Sequence, residues 1–202
     1  MEGEEETGGI ILKADHCLIP ERTNGRFMHT KWAFLLFFSA GSIFGQTDTS
    51  SLIGKPAPQF RLADQNAGDG SIFSLSEWFS ADSSRGVIVS FFATWCEPCR
   101  KELPFLQHTT DSLFTRDLRM VAVCIDTVYG PKQKQLVADL KLSCPVIHDR
   151  FGIVAQRFGC GKALPYTVFI NRNGMVTSFS TGYDFSKNTG IIRSINLILD
   201  KG

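Results

Sequence analysis

The sequence predicts an α/β fold in which a mixed central sheet is flanked by helices and preceded by an N-terminal β-hairpin. Three observations lead to this prediction. The apolar run at residues 87–92 (VIVSFF) is rich in β-branched and aromatic residues, as in a buried strand. Segments with strand-like and helix-like spacing alternate after it. A hairpin pattern around the turn at residues 171–174 (NRNG) then precedes a last helical segment, which places an antiparallel hairpin at one edge of the sheet.

The first elements are assigned from turn and capping residues. Residues 59–63 and 71–74 form the predicted hairpin, because the sequence between them contains the turn Gly68-Asp69-Gly70. Ser74 or Ser76 is a candidate N-cap for a brief helix that runs through Phe79. The strand at 87–92 follows, and helical spacing then predicts a helix over residues 97–115.

The later elements continue the alternation. A second buried strand is predicted at 118–125, a helix at 132–142, a short strand at 145–148 and a helix at 153–158. Residues 166–170 and 175–180 pair as a hairpin, and residues 184–199 form the last predicted helix. Neither repeats nor low-complexity stretches interrupt this order.

Length and composition indicate one modest domain. The chain has 202 residues, of which 43% are hydrophobic, enough for one packed core and too little for two comfortable ones. Its formal net charge of +1 gives no electrostatic basis for nucleic-acid binding. Because no basic run or mixture of basic and aromatic residues offsets that neutrality, we expect no nucleic-acid partner.

The N-terminal region predicts export. Lys31 precedes an apolar run of roughly a dozen residues that closes on small residues, which is typical of a secretory signal peptide and short for a membrane span. We assign residues 28–45 to this signal, with cleavage near Gly45 and Gln46, and expect the mature protein in the periplasm or cell envelope. An uncleaved membrane anchor is the alternative. No cysteine follows the run at the position of a lipid attachment site.

The residues before Met28 do not suit a secretory leader. Residues 1–27 contain an acidic cluster at Glu2, Glu4, Glu5 and Glu6, whereas the start of a signal peptide is positively charged. We therefore interpret this segment as a gene-model artefact or a disordered extension, with translation starting at Met28. Residues 46–52 are a polar linker, and residues 53–202 form the folded domain.

The chemistry of the chain is concentrated in a Cys-x-x-Cys motif. Cys96 and Cys99 lie one helical turn apart, directly after the buried strand at 87–92. Cys96 would therefore stand at a helix N-terminus, where unpaired N–H groups and the helix dipole favour a thiolate. A thiolate attacks disulfides, and the second thiol can then resolve the mixed disulfide. The spacing indicates a dithiol/disulfide redox centre.

Other uses of such a motif suit this sequence less well. A structural zinc site needs a second pair of ligands at short spacing, which the chain lacks, so we expect no metal. Covalent haem attachment requires His after the second cysteine, where Arg100 stands. A thiol peroxidase would have Thr or Ser three residues before the reactive cysteine, where Ala93 stands. An inert structural disulfide is a further alternative.

Three ordered motifs resemble the thioredoxin-like TlpA/ResA-type thiol–disulfide oxidoreductases, proteins associated with cytochrome c maturation. The central motif is residues 91–104 (FFATWCEPCRKELP). Residues 53–60 (IGKPAPQF) resemble the family's opening segment, and residues 163–174 (ALPYTVFINRNG) resemble its cis-proline strand and the turn after it. The resemblance covers the chain from Ile53 onward and implies a thioredoxin-like fold.

The resemblance also implies roles for residues around the two cysteines. The Leu164–Pro165 bond would be cis, exposing the backbone of Leu164 to a substrate strand. Trp95 would shield the thiols and contact the substrate. Glu102 would accept the proton of Cys99, although an acid in the second turn of a helix is otherwise often simply solvated. Cytoplasmic thioredoxins carry a buried Asp six residues before the first cysteine; this chain has Ser90 there, which makes Glu102 the better candidate base.

The remaining cysteines of the domain are Cys124, Cys144 and Cys160. Cys124 lies in an apolar strand and is most simply a small buried side chain. In an oxidising compartment two of the three could pair, and Cys124 with Cys144 is the preferred couple because they flank neighbouring elements. Sequence alone does not decide the connectivity.

The sequence thus predicts an exported thiol–disulfide oxidoreductase that reduces selected envelope disulfides. Its partners would be disulfide-bearing envelope proteins, with apocytochrome c as one candidate, and a membrane electron donor. No bound cofactor is expected, since the two cysteines store the electrons. A client- or metal-binding module without turnover and a thiol peroxidase are the alternatives.

Overall fold

The computed structural model describes residues 52–80, 86–112 and 118–200. The N-terminal extension, the signal peptide and nearly all of the linker lie outside the described residues. Within these ranges, no helix is both long and apolar enough to cross a membrane.

A five-stranded mixed sheet forms the centre of the domain, as the sequence predicts. Its strands are β3 (Gly86–Phe92), β4 (Leu118–Cys124), β5 (Val146–His148), β6 (Tyr166–Asn171) and β7 (Val176–Thr181). They lie in the order β5-β4-β3-β6-β7, in which β3, β4 and β5 are parallel, β6 is antiparallel to β3, and β7 is antiparallel to β6. All seven residues of β3 are buried, because helices cover both faces of the sheet.

The helices divide between the two faces of the sheet. They are α1 (Leu75–Phe79), α2 (Glu97–Ser112), α3 (Pro131–Asp139), α4 (Ile153–Arg157) and α5 (Asn188–Asp200). Apolar residues of α2, α3 and α5 pack with Ile88 and Phe92 of β3. Those of α1 and α4 pack with Val87, Val89 and Phe91 on the opposite face. This division follows from the period-two alternation of side chains along a strand.

The N-terminal hairpin adds to the sheet beside β5. Strands β1 (Arg61–Ala63) and β2 (Ile72–Ser74) are antiparallel, and Asp64 forms a β-bridge with Ile147. The connection between the strands is longer than the predicted turn, since it spans residues 64–71. Gly68 and Gly70 within it adopt φ of 73° and 75°, a region in which glycine is favoured. The hairpin itself is confirmed.

Element boundaries differ from the predicted ones for local reasons. Ser74, one of the two proposed caps, accepts a hydrogen bond from the Glu77 N–H at 3.3 Å. Helix α3 starts one residue early, since proline is favoured in the first turn, and ends before Lys141, whose φ of 50° is left-handed. The last predicted helix is divided into a 3₁₀ turn, Phe185–Lys187, and α5. The predicted end of α2 beyond Ser112 lies outside the described residues.

The proposed pairing of Cys124 with Cys144 is wrong. Cys124, Cys144 and Cys160 are free thiols in the structure. Cys124 is aligned with His148, so Cys144 lies four residues further back along the same strand direction. Four residues of extended chain span about 13 Å, whereas disulfide-bonded residues have Cα atoms within about 7 Å.

Candidate active site

The two cysteines lie where β3 leads into α2. The chain turns after Phe92, the Cys96 N–H donates to the Ala93 carbonyl at 3.1 Å, and α2 begins at the next residue, Glu97. Cys96 and Cys99 form a disulfide with their Cα atoms 5.4 Å apart, so the structure represents the oxidised form. The N–H of Cys99 points at the Cys96 sulfur at 3.2 Å. This helix N-terminal amide would stabilise a thiolate on Cys96 after reduction.

Exposure does not separate the two cysteines as strongly as their order in the motif suggests. Cys96 is 4% exposed and Cys99 is 1% exposed, whereas the neighbouring Trp95 is 71% exposed. The amide contact to the Cys96 sulfur, rather than solvent access, is therefore the main asymmetry of the pair. Trp95, the residue before Cys96, therefore presents an open aromatic surface next to the motif.

An aspartate that sequence analysis missed holds the chain just before Cys96. The carboxylate of Asp126 accepts a hydrogen bond from the Thr94 N–H at 3.1 Å, and the Gln133 side chain donates to the same carboxylate at 2.8 Å. On the other side, the Arg100 guanidinium donates to the Thr94 carbonyl at 3.2 Å. Asp126 lies two residues after the end of β4, and β4 ends beside the end of β3. An acidic residue directly after a predicted buried strand was the sequence feature that could have identified it.

Glu102 is buried, so the alternative of a solvated surface acid is wrong. Its residue is 1% exposed, and Oε2 accepts hydrogen bonds from the Ser90 hydroxyl at 3.2 Å and the Thr167 hydroxyl at 2.9 Å. Glu102 lies three residues after Cys99 on α2, and residues at that spacing share one face of a helix. The acid therefore lies on the same side of α2 as Cys99.

Burial controls the charge state of Glu102. Loss of hydration raises the pKa of this carboxyl from 4.5 to about 7, while the hydrogen bonds from Thr167 and Ser90 and the charge of Lys187 act in the opposite direction. A carboxyl with this pKa is partly ionised at neutral pH and can both accept and return a proton. Ser90, six residues before Cys96, therefore supplies a hydrogen bond to Glu102 but no acidic group of its own.

The Leu164–Pro165 bond is cis, as the resemblance implied. Tyr166 pairs with Phe91 near the C-terminal end of β3, so Pro165 lies at the same end of the sheet as the turn that contains Cys96. The Pro165 carbonyl accepts a hydrogen bond from the Gly182 N–H at 2.7 Å. Among the described residues, no hydrogen bond uses the backbone of Leu164. That backbone therefore retains a donor and an acceptor for an extended peptide.

The charged residues of the motif partly compensate one another. Glu97 and Arg100 form an ion pair of 3.7 Å on the helix surface, with the Glu97 side chain 71% exposed. An exposed pair of this kind is weak, since water screens it. Glu97 therefore places a partly neutralised negative charge between the two cysteines.

The other thiols differ from the motif cysteines in chemistry. Burial raises the pKa of each of Cys124, Cys144 and Cys160 to about 12, so they remain protonated at neutral pH. Across residues 52–80, 86–112 and 118–200, no three His, Cys, Asp or Glu side chains cluster closely enough to hold a metal ion.

Comparison with known proteins identifies the family of the domain. The model of the AhpC/TSA family matches residues 53–179. The thiol-disulfide oxidoreductase ResA of Oceanobacillus iheyensis is 31% identical over 131 residues, which cover 64% of this chain and 65% of that protein. ResA of Bacillus subtilis is 30% identical over 132 residues, covering 64% of this chain and 67% of its own length. The chain thus spans about two thirds of these relatives.

Solved structures agree on the fold. A putative thiol:disulfide interchange protein DsbE from Chlorobium tepidum superposes with a TM-score of 0.64 at 24% identity, covering 73% of this chain and 97% of that one. At this identity the likeness concerns the fold alone. Together with the match over residues 53–179 and the paired cysteines, these findings show that the chain belongs to the AhpC/TSA family and is a thioredoxin-like protein of the ResA thiol–disulfide oxidoreductase type.

Proposed function

We propose that this protein is an exported thiol–disulfide oxidoreductase that reduces selected disulfides of envelope proteins. The observation that carries the proposal is the Cys96–Cys99 disulfide at the start of α2, with the Cys99 N–H directed at the Cys96 sulfur. A buried acid on the same helix and an open backbone at Leu164 supply the other groups that the reaction needs.

The reaction starts from the reduced protein. The Cys96 thiolate attacks one sulfur of the client disulfide, forms a mixed disulfide and releases the first client thiolate. Cys99 then transfers its proton to the Glu102 carboxylate and attacks the Cys96 sulfur. This second exchange releases the other client thiolate and leaves the Cys96–Cys99 disulfide, so two electrons have passed to the client. A reduced donor must then restore the dithiol.

Client binding would use the surface around the disulfide. The free backbone groups of Leu164 suit an extended client segment, and the exposed ring of Trp95, the residue before Cys96, offers apolar contact. An unfolded cysteine-containing chain, such as an apocytochrome c, provides such a segment. A membrane protein that delivers electrons to the oxidised form is the expected second partner.

The activity is tested with the domain at residues 53–202 and insulin as a probe disulfide. We expect the wild-type domain to accelerate insulin reduction by dithiothreitol, and Cys96→Ser to abolish the acceleration. In cells, Cys99→Ala should accumulate mixed disulfides that identify the clients. A Cys96→Ser protein that binds the same clients and shows no loss of function would instead establish a binding module. Stoichiometric oxidation by hydroperoxide with turnover would establish a peroxidase.

Export is tested separately from activity. The apolar run after Lys31 supports the location, and fusion of residues 28–45 to a phosphatase that is active only outside the cytoplasm measures it directly. We expect phosphatase activity, and an N-terminus near Gln46 in the mature protein. Retention of residues 28–45 would indicate the uncleaved anchor, and an inactive fusion would contradict export.

A further inference from the structure

Lys187 occupies a specific position beside the cis-proline strand. It is the last residue of the 3₁₀ turn Phe185–Lys187, and its ammonium donates to the carbonyls of Thr181 and, at 3.2 Å, Gly182. The side chain is half-buried. The lysine therefore closes the connection between the end of β7 and the start of α5.

The two carbonyls that bind Lys187 are attached to the strand that carries the active-site groups. Thr181 pairs with Tyr166 across β6 and β7, and the Gly182 N–H donates to the Pro165 carbonyl at 2.7 Å. Thr167, the next residue on β6, donates to Glu102. One short region of β6 and β7 thus links the ammonium of Lys187, the cis-proline and the buried acid.

The groups facing Glu102 come from four parts of the fold. Ser90 of β3 and Thr167 of β6 are neutral hydroxyls, and Cys99 lies three residues before Glu102 on its own helix, α2. Tyr183 follows β7, and its hydroxyl donates to the side chain of Asn188 at 2.7 Å. Burial, and then the charge of Glu102, raise the pKa of this tyrosine, so it stays neutral. Among the described residues, Lys187 is the cation whose charge acts on Glu102.

We propose that Lys187 is a positioning residue of the exchange reaction: its hydrogen bonds to the carbonyls of Thr181 and Gly182 hold the end of β7 against Pro165, and thereby hold the strand from which Thr167 donates to Glu102. The inference rests on the proposed function, since it assigns Lys187 to the same proton transfer. The positive charge of Lys187 also favours the ionised form of Glu102, so without it the buried carboxyl would hold its proton to higher pH. A smaller fraction of Glu102 would then be ionised and able to accept the proton of Cys99 at neutral pH.

The direct test measures Glu102 without any turnover. In the oxidised protein neither motif cysteine titrates, so the ¹³C shift of the Glu102 carboxyl reports its own ionisation. We expect Lys187→Met to move this titration to higher pH by about half a unit, a threefold change in the ionised fraction below the midpoint. Lys187→Arg should restore the wild-type titration. Lys162→Met, which removes an exposed lysine before Pro165, is the matched control and should not shift it.

Kinetics separates failure of this inference from failure of the proposed function. The pH profile of insulin reduction should move to higher pH in Lys187→Met by the same amount, and should not respond to Lys187→Met when Glu102→Gln is already present. If Glu102→Gln alone leaves the profile unchanged, the proposed proton transfer is wrong. If Glu102→Gln changes the pH profile but Lys187→Met matches wild type in both the titration and the profile, the role of Lys187 is wrong. The role is also wrong if Lys162→Met shifts the Glu102 titration as much as Lys187→Met does.

Discussion

The hydroxyl of Thr167 donates to the carboxylate of Glu102 at 2.9 Å and thereby joins two residues that are 65 positions apart in the chain. Thr167 lies on β6, the strand that follows the cis-proline, and Glu102 lies on α2, the helix that contains Cys99. Both residues are at most 1% exposed. The contact fixes Glu102 relative to Cys99 on its own helix and to the strand that follows Pro165.

Glu102→Gln should slow disulfide exchange without unfolding the protein. Glutamine can still accept the hydrogen bonds from Ser90 and Thr167 but cannot take the proton of Cys99. We expect loss of the general base to slow the resolving step about 10²-fold and to remove the inflection near pH 7 from the plot of rate against pH. Stopped-flow measurement of exchange with a small disulfide checks this. Asp111→Asn, which changes an exposed acid near the end of the same helix, is the control, and an inflection retained in Glu102→Gln would contradict the assignment.

The same substitution should stabilise the oxidised protein at high pH. The pKa of Glu102 is higher in the folded than in the unfolded protein. Its favourable contribution to the free energy of unfolding is therefore fully present below pH 4.5 and is lost as pH rises through about 7. The loss corresponds to roughly 3 kcal/mol. Glu102→Gln should therefore unfold at a higher guanidinium concentration than wild type at pH 8. Near pH 4 the two proteins should unfold at similar guanidinium concentrations. Equal midpoints at pH 8 would contradict the burial argument.

Cys96 should be the more reactive thiol of the reduced pair. The helix N-terminal amide of Cys99 faces the Cys96 sulfur, and that contact stabilises negative charge there. We expect iodoacetamide at neutral pH to label Cys96 first, with Cys124 and Cys144 unreactive until the protein unfolds, because both are buried. Mass spectrometry of digests taken over time measures the order. Earlier labelling of Cys99 would reverse the assigned roles.

The reduction potential should lie on the thioredoxin side of the known range. Strong oxidants stabilise their thiolate, whereas Glu97 places a negative charge between the cysteines that Arg100 only partly offsets. We expect a value closer to about −270 mV than to about −120 mV. Equilibration with a dithiothreitol redox buffer measures it. A value at the oxidising end would make the protein a disulfide donor.

Asp126→Ala should impair the site without removing a reacting group. The substitution leaves the Thr94 N–H without its carboxylate acceptor, which costs about 1–3 kcal/mol for a hydrogen bond to a charged group. We expect slower exchange together with lower stability, since the turn before Cys96 loses its attachment to β4. Asp111→Ala, an exposed acid near the end of α2, should change neither. Exchange at the wild-type rate in Asp126→Ala would show that the turn is held by other contacts.

Much of this protein follows from local sequence. The β-branched run at 87–92 predicts a buried central strand because nearly every residue is apolar, and the paired cysteines after it identify the redox centre. The turn at residues 171–174 predicts the β6–β7 hairpin in the same way. These signals are readable because spacing along one segment is enough to define them.

Tertiary structure decided the features that depend on distant segments. The burial of Glu102 requires Ser90 and Thr167 to meet it from two different strands, and Asp126 reaches Thr94 only because β3 and β4 pair in register. The register of β4 with β5 separates Cys124 from Cys144. Sequence identifies the chemical groups, but a group's pKa, its partner and its distance from another cysteine depend on packing between segments far apart in the chain.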